Sequence, residues 1–115
     1  MKTLSIRLAL LLCIITLAAG CGTTRRGEPI IGEHQPPNED VAEGLVAFDR
    51  YCSACHPGGE AGQGPALNNK PLPAFAIKFQ VRHGLGAMPA FPEQVISEKE
   101  LDDITAYLIW LRHTP

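Results

Sequence analysis

The pattern of hydrophobic and polar positions is clearest near the C-terminus, where it has the period of an α-helix. Ser97 is a suitable N-cap residue, and Glu100 stands three residues later, where it completes a capping box. The apolar residues that follow lie at helical spacing: Leu101, Ile104, Leu108 and Leu111. The pattern predicts a helix that supplies core residues and carries no chemistry.

A second helical pattern covers residues 38–51. Asn38 is a good N-cap residue, and the acidic Glu39 and Asp40 suit the positive end of a helix dipole. Its apolar face carries Val41, Leu45 and Phe48. Gly44 within this segment costs about 1 kcal/mol relative to alanine in a helix, so we expect a tertiary contact to offset it.

The segment from Pro71 to Gly84 predicts a third, shorter helix. A proline opens the segment, a glycine closes it, and Phe75, Phe79 and Arg82 lie at helical spacing within it.

The N-terminus has a different pattern, which predicts export. Lys2 and Arg7 precede an uncharged apolar run from Leu8 to Ala19 that ends on small residues, as in a secretory signal peptide. The run is short for a transmembrane helix, which needs about 20 apolar residues. Cys21 follows "LAAG", which resembles the lipobox of bacterial lipoproteins and implies cleavage before Cys21 and its lipidation. The alternatives are an ordinary cleaved signal or an uncleaved N-terminal anchor.

These features divide the chain into three parts. Residues 1–20 are the predicted lipoprotein signal peptide, and residues 21–38 form a predicted flexible tether, rich in Gly, Pro, Thr and charge. Residues 39–115 form one small domain. A domain of that size folds only marginally without a disulfide, a metal or a cofactor.

The cysteines narrow the choice between a disulfide, a metal and a cofactor. Of four cysteines, Cys13 belongs to the signal and Cys21 is the predicted lipidation site, which leaves Cys52 and Cys55 for the domain. In "CSACH" these two thiols and His56 stand at i, i+3 and i+4, which is one face of a helix if the preceding helix continues into the motif. This is the spacing of c-type haem attachment. A thioredoxin-like pair, a structural zinc site and a pair of buried thiols are the alternatives.

At this point the chain resembles the small class I monohaem cytochromes c. The resemblance covers about residues 39–112 and rests on "CSACH", "GQGPAL" (62–67), "GLGAMPAF" (84–91) and "LDDITAYLIWL" (101–111). It implies an all-α fold of about three to four helices around one covalent haem c. It also implies that Gly44 and Phe48 of the first helix cross the last helix near Tyr107.

With His56 as one ligand, the sixth coordination position of the iron is open, and the sequence offers a few residues that could fill it. Met88 is the one methionine outside the signal, and the resemblance implies that a Met-Pro after a glycine-containing loop carries the distal ligand. His83 is the main rival, while His34 and His113 are less suitably placed. A Met88 that only fills core space would leave the haem five-coordinate. For His56, the resemblance implies that the carbonyl of Pro65 accepts the second ring N–H.

Charge and motifs together predict the function. From Gly22 onward, eight Lys and Arg against twelve Asp and Glu give a net charge of −4, which argues against nucleic-acid binding. No phosphate loop, activated nucleophile or catalytic carboxylate pair is visible. We expect a non-enzymatic electron carrier in the bacterial cell envelope, on the periplasmic side, anchored to a membrane by lipidated Cys21 and exchanging electrons with redox proteins. A haem-based ligand sensor or a small peroxidase-like enzyme is the alternative.

Overall fold

The computed structural model describes residues 35–114 and has three α-helices. They are α1 (Glu39–Tyr51), α2 (Ala74–His83) and α3 (Glu98–Leu111), with a 3-10 turn at Pro57–Gly59. Residues 35–114 contain no strand apart from an isolated bridge between Leu85 and Met88. The predicted all-α fold is confirmed.

The bounds of α1 agree with its sequence signals. The Asn38 side chain accepts a hydrogen bond from the Val41 N–H at 3.0 Å, and two acidic residues occupy the first turn. The helix ends at Tyr51, and Cys52 is its C-cap, with its N–H donating to the Phe48 carbonyl. The helix therefore delivers Cys52 but does not continue through the "CSACH" motif.

The start of α2 differs from the prediction. The helix begins at Ala74, after Pro73, which is its N-cap in an extended conformation. A residue that precedes proline is disfavoured in the helical region, so Leu72 cannot be helical and the segment from Pro71 to Pro73 stays outside the helix. The predicted glycine stop is present, since Gly84 follows the last residue with a φ of +69°.

The capping box of α3 is present as predicted. The Ser97 side chain accepts from the Glu100 N–H, and the Glu100 carboxylate accepts from the Ser97 N–H at 3.0 Å. The Ser97 N–H first, and second the Ser97 hydroxyl, which donates to the same carboxylate at 2.9 Å, lower the pKa of Glu100 from its usual value of 4.5. The stability that the ionised carboxylate contributes is therefore present above pH 4.5 and is lost as the pH falls through the folded-state pKa.

Replacing Glu100 with glutamine should therefore destabilise the protein in a pH-dependent way. We expect a loss of about 0.3 to 1 kcal/mol at pH 7, the usual contribution of a negative charge in the first turn of a helix, because a glutamine can still complete a capping box. The difference from the wild type should shrink as the pH falls below 4.5. Urea unfolding at several pH values measures it, with Glu93→Gln, a change at an exposed loop carboxylate, as control. A difference that is constant with pH would contradict the role of the charge.

The core forms where α1 crosses α3. Phe48 is fully buried, and its ring lies 5.2 Å from that of Tyr107 at an interplanar angle of 50°. A side chain at Gly44 would overlap the carbonyl oxygen of Asp103, and its Cβ would lie 2.9 Å from the Cβ of Tyr107. Gly44 thus allows the two helices to touch, which confirms the expected crossing and explains why a glycine stands inside a helix.

Replacing Gly44 with alanine should destabilise the domain. The added methyl group would force the helices apart, at a typical cost of about 1 to 3 kcal/mol, against a gain of about 1 kcal/mol in helix propensity. We expect a lower unfolding midpoint in thermal or urea denaturation. Val46→Ala, at a position that is 60% exposed on the same helix, should change stability by less than about 0.5 kcal/mol. Equal stability of Gly44→Ala and the wild type would show that the crossing tolerates a side chain.

Helices of the described part of the chain are all too short or too polar to cross a membrane. The predicted signal peptide, Cys21 and the tether up to residue 34 lie outside the described residues, so these remain predictions.

Candidate haem site

Two thiols lie in a tight turn at the end of α1. Cys52 and Cys55 are both half-buried and free, and the N–H groups of Cys55 and His56 donate to the Cys52 carbonyl at 3.1 and 2.9 Å. Burial, with a smaller effect of the neighbouring Cys55 thiol, raises the pKa of Cys52 to about 11. These hydrogen bonds keep Cys52, Cys55 and His56 in one turn of chain, although the helix has already ended.

The His56 ring is held in one orientation by a backbone carbonyl. It is buried, and its Nδ1 lies 2.8 Å from the carbonyl oxygen of Pro65. A carbonyl can only accept, so Nδ1 carries the hydrogen and donates, which leaves the lone pair on Nε2 for a metal. This is the contact that the family resemblance implied for Pro65.

Gly64 lies directly against the His56 ring. A side chain at this position would overlap His56 Cε1, and its Cβ would lie 2.7 Å from Nε2 and 2.8 Å from Nδ1. The Gly64 N–H donates to the Cys55 carbonyl at 2.9 Å, which ties the "GQGP" turn to the cysteine motif. Sequence reasoning recognised this turn but missed the contact of Gly64 with His56, because a glycine before a proline is also an ordinary turn signal.

Met88 is presented by a short turn after α2. The N–H of Met88 donates to the Leu85 carbonyl at 3.0 Å, and the N–H of Leu85 donates to the Met88 carbonyl at 3.1 Å. Gly84 and Gly86 have positive φ values of 69° and 58°, which favour glycine. Met88 is half-buried against the core, and its Sδ lies 3.8 Å from Nε2 of Gln80.

His83, the rival ligand, is turned onto the surface of its own helix. It is exposed, its Nδ1 lies 2.8 Å from the Phe79 carbonyl, and its ring stacks on the Phe79 ring at a centroid distance of 4.0 Å. His113 is also exposed, next to Arg112. His34 lies outside the described residues. Of Met88, His83 and His113, Met88 is the one that packs against the core.

The donor set fits a c-type haem. Two free thiols three residues apart can form two thioether bonds, and the adjacent imidazole has its Nδ1 hydrogen bonded and its Nε2 lone pair available. The thioether of Met88 would be a second ligand for the haem iron. Residues 35–114 bring together no group of three or more His, Cys, Asp and Glu side chains suited to a metal ion, so the zinc alternative has no ligand set there.

A family comparison agrees with this site. Residues 39–108 match the sequence model of the family described as cytochrome C oxidase, cbb3-type, subunit III. The chain therefore belongs to this cytochrome c family, as a class I monohaem c-type cytochrome that binds one covalent haem c.

The chain is also similar to individual cytochromes. It is 41% identical over 65 residues to the cytochrome c subunit of 4-cresol dehydrogenase [hydroxylating] from Pseudomonas putida, an alignment that covers 56% of this chain and 57% of that subunit. It is 35% identical over 78 residues to cytochrome c6 of Parathermosynechococcus lividus, covering 61% of this chain and 88% of the relative.

A solved structure agrees as well. The structure of cytochrome c6 from the diatom Phaeodactylum tricornutum superimposes with a TM-score of 0.56 at 30% sequence identity. The match covers 65% of this chain and 97% of that one.

Proposed function

We propose that this protein carries single electrons between redox proteins of the cell envelope through a His56/Met88 haem centre. The observation that supports it best is the pairing of a fixed imidazole with a thioether built into a hydrogen-bonded turn. The Pro65 carbonyl orients the His56 ring, and the bridge between Leu85 and Met88 fixes the backbone that carries the sulfur. Both groups are set by backbone contacts.

The proposed ligand pair suits electron transfer. Bound haem c supplies a one-electron Fe(III)/Fe(II) couple, and methionine as the second ligand raises its reduction potential relative to harder ligands. His56 and Met88 would hold the iron in the same coordination in both oxidation states, so an electron enters or leaves with little rearrangement. Their closed arrangement would keep small molecules from the iron, as a carrier requires and a sensor or peroxidase does not.

The proposed partners are a redox enzyme as donor and a second redox protein as acceptor. The similarity to the cytochrome c subunit of a dehydrogenase supports an oxidoreductase as one of them. Weak redox encounters bury less than about 1,200 Å², so we expect a small and transient interface.

The proposed location is the periplasmic side of a bacterial membrane, with lipidated Cys21 as anchor. The apolar run from Leu8 to Ala19, followed by "LAAGC", supports it. Expression with labelled fatty acid tests it: the wild type should carry the label and sediment with membranes, and Cys21→Ser should do neither. Label on Cys21→Ser, or soluble wild type, would contradict the proposal.

The optical spectrum of the purified protein, with and without carbon monoxide, tests the haem centre. We expect a methionine-to-iron band in the ferric form and no change when carbon monoxide is added to the ferrous form. A high-spin spectrum, or ready binding of carbon monoxide, would favour the sensor or peroxidase instead.

A further inference from the structure

Arg82 of α2 makes three hydrogen bonds to the chain that follows Met88. Its Nη1 donates to the carbonyl oxygens of Phe91 at 3.0 Å and Ile96 at 2.7 Å, and its Nη2 donates to the Glu98 carboxylate at 2.7 Å. The Arg82 side chain is only 17% exposed. Nη1 and Nη2 are thus both used in contacts within the protein.

These contacts close a loop around the Met88 turn. The loop leaves α2 at Gly84 and returns at Phe91, whose N–H donates to the Val81 carbonyl at 2.9 Å. Arg82 holds the Phe91 carbonyl, so both polar groups of the Phe91 backbone are tied to α2. Met88 lies between the two ends of this loop, and we call the hydrogen bonds of Phe91 with Val81 and Arg82 the neck of the loop.

The contacts of Arg82 that hold the neck differ from an ordinary surface ion pair. An exposed pair such as Lys78 with Asp102, one turn earlier on α2, typically contributes about 1 kcal/mol or less. Removing the half-buried guanidinium of Arg82 would instead leave two backbone carbonyls without their donor, a more costly change. A lysine could not replace Arg82 fully, because a single ammonium lacks the planar guanidinium whose several N–H groups donate in fixed directions.

We propose that Arg82 is a positioning residue that keeps the Met88 loop closed and thereby limits the access of small molecules to the sixth coordination position. This inference rests on the proposed role of Met88 as a ligand. Arg82 acts through the backbone of Phe91 and Ile96 and does not touch the sulfur. Loosening the neck lets the turn open locally, without unfolding the helices.

Binding of imidazole to the ferric holoprotein tests the proposal, because the entering molecule must wait for the Met88 loop to open. Stopped-flow mixing gives the rate, and titration gives the affinity. We expect Arg82→Gln to raise both by about tenfold or more, as the loss of charge-assisted and carbonyl hydrogen bonds implies. Glu98→Gln, which spares the two carbonyl contacts, should stay within about threefold of the wild type, and so should Lys78→Gln.

A second variant, Ser97→Ala, is the control for an effect of lowered global stability. Ser97→Ala weakens the cap of α3 without removing a contact of Arg82, so it should lower the unfolding midpoint and leave imidazole binding nearly unchanged. Equal acceleration by Ser97→Ala and Arg82→Gln would overturn the proposal, and so would an unchanged Arg82→Gln. If Arg82→Gln does not fold, Arg82→Lys takes its place, with an expected increase that is smaller but above that of Lys78→Gln.

Failure of this inference can be told apart from failure of the proposed function. A wild type that binds imidazole immediately, and lacks the methionine-to-iron band, would contradict Met88 as a ligand. A closed wild type with an unaffected Arg82→Gln would leave the carrier intact and remove the role of Arg82 alone.

Discussion

Replacing Met88 with alanine should leave haem attached to the protein while opening its sixth coordination position. The thioether bonds of Cys52 and Cys55 do not involve Met88, so covalent attachment is unaffected. Loss of the sulfur should abolish the methionine-to-iron band and lower the reduction potential by on the order of 100 mV or more, since the axial ligand is a main determinant of that potential. Carbon monoxide should then bind the ferrous form readily.

The matched control is Leu85→Ala, in the same turn. Leu85 is 75% exposed, and its bridge to Met88 uses backbone atoms alone, so this change should leave spectrum and potential unaltered. A Met88→Ala variant with an unchanged spectrum would refute the ligand assignment and favour His83. The double variant with His83→Ala would then show whether histidine fills the position, although the observed stacking of His83 on Phe79 must first be broken.

Replacing Cys52 and Cys55 together with serine should abolish covalent haem attachment completely. Each thioether needs a cysteine sulfur, and residues 35–114 contain no other cysteine. Mass spectrometry of the denatured protein should show the polypeptide mass alone, and haem staining of a denaturing gel should be negative. The domain should also lose much stability, because one that size depends on its cofactor.

Cys21→Ser is the control for the double variant. It should retain haem while losing the predicted lipid. The comparison separates the effect of replacing any cysteine from the effect of removing the haem attachment site. Haem that stays bound to the Cys52/Cys55 double variant through denaturation would contradict the assigned attachment residues.

The elements that sequence predicted well are those with local signals. Asn38 and Ser97 marked the starts of α1 and α3 because a cap acts on backbone within three residues of it. The helix α2 begins at Ala74 and not at the predicted Pro71, because Pro73 disfavours a helical conformation at Leu72. The cofactor followed from "CSACH", since its chemistry is contained in five consecutive residues.

The site was predictable in part, and its tertiary contacts were not. Family resemblance pointed to the Pro65 carbonyl, which lies against His56, but Gly64 carried no sequence signal for its contact with the same ring. Spacing alone did not separate His83 from Met88 as candidate ligands. In the fold His83 stacks on Phe79, whereas Met88 packs against the core.

By itself, the sequence determined the helices, the haem motif and the candidate ligands, because these depend on the identity and spacing of residues that are near in the chain. The tertiary structure alone decided that Gly64 shapes the His56 ring and that Arg82 closes the neck of the Met88 loop. The physical reason is that such contacts require the chain to fold back on itself, and the direction in which it returns depends on the packing of the whole core.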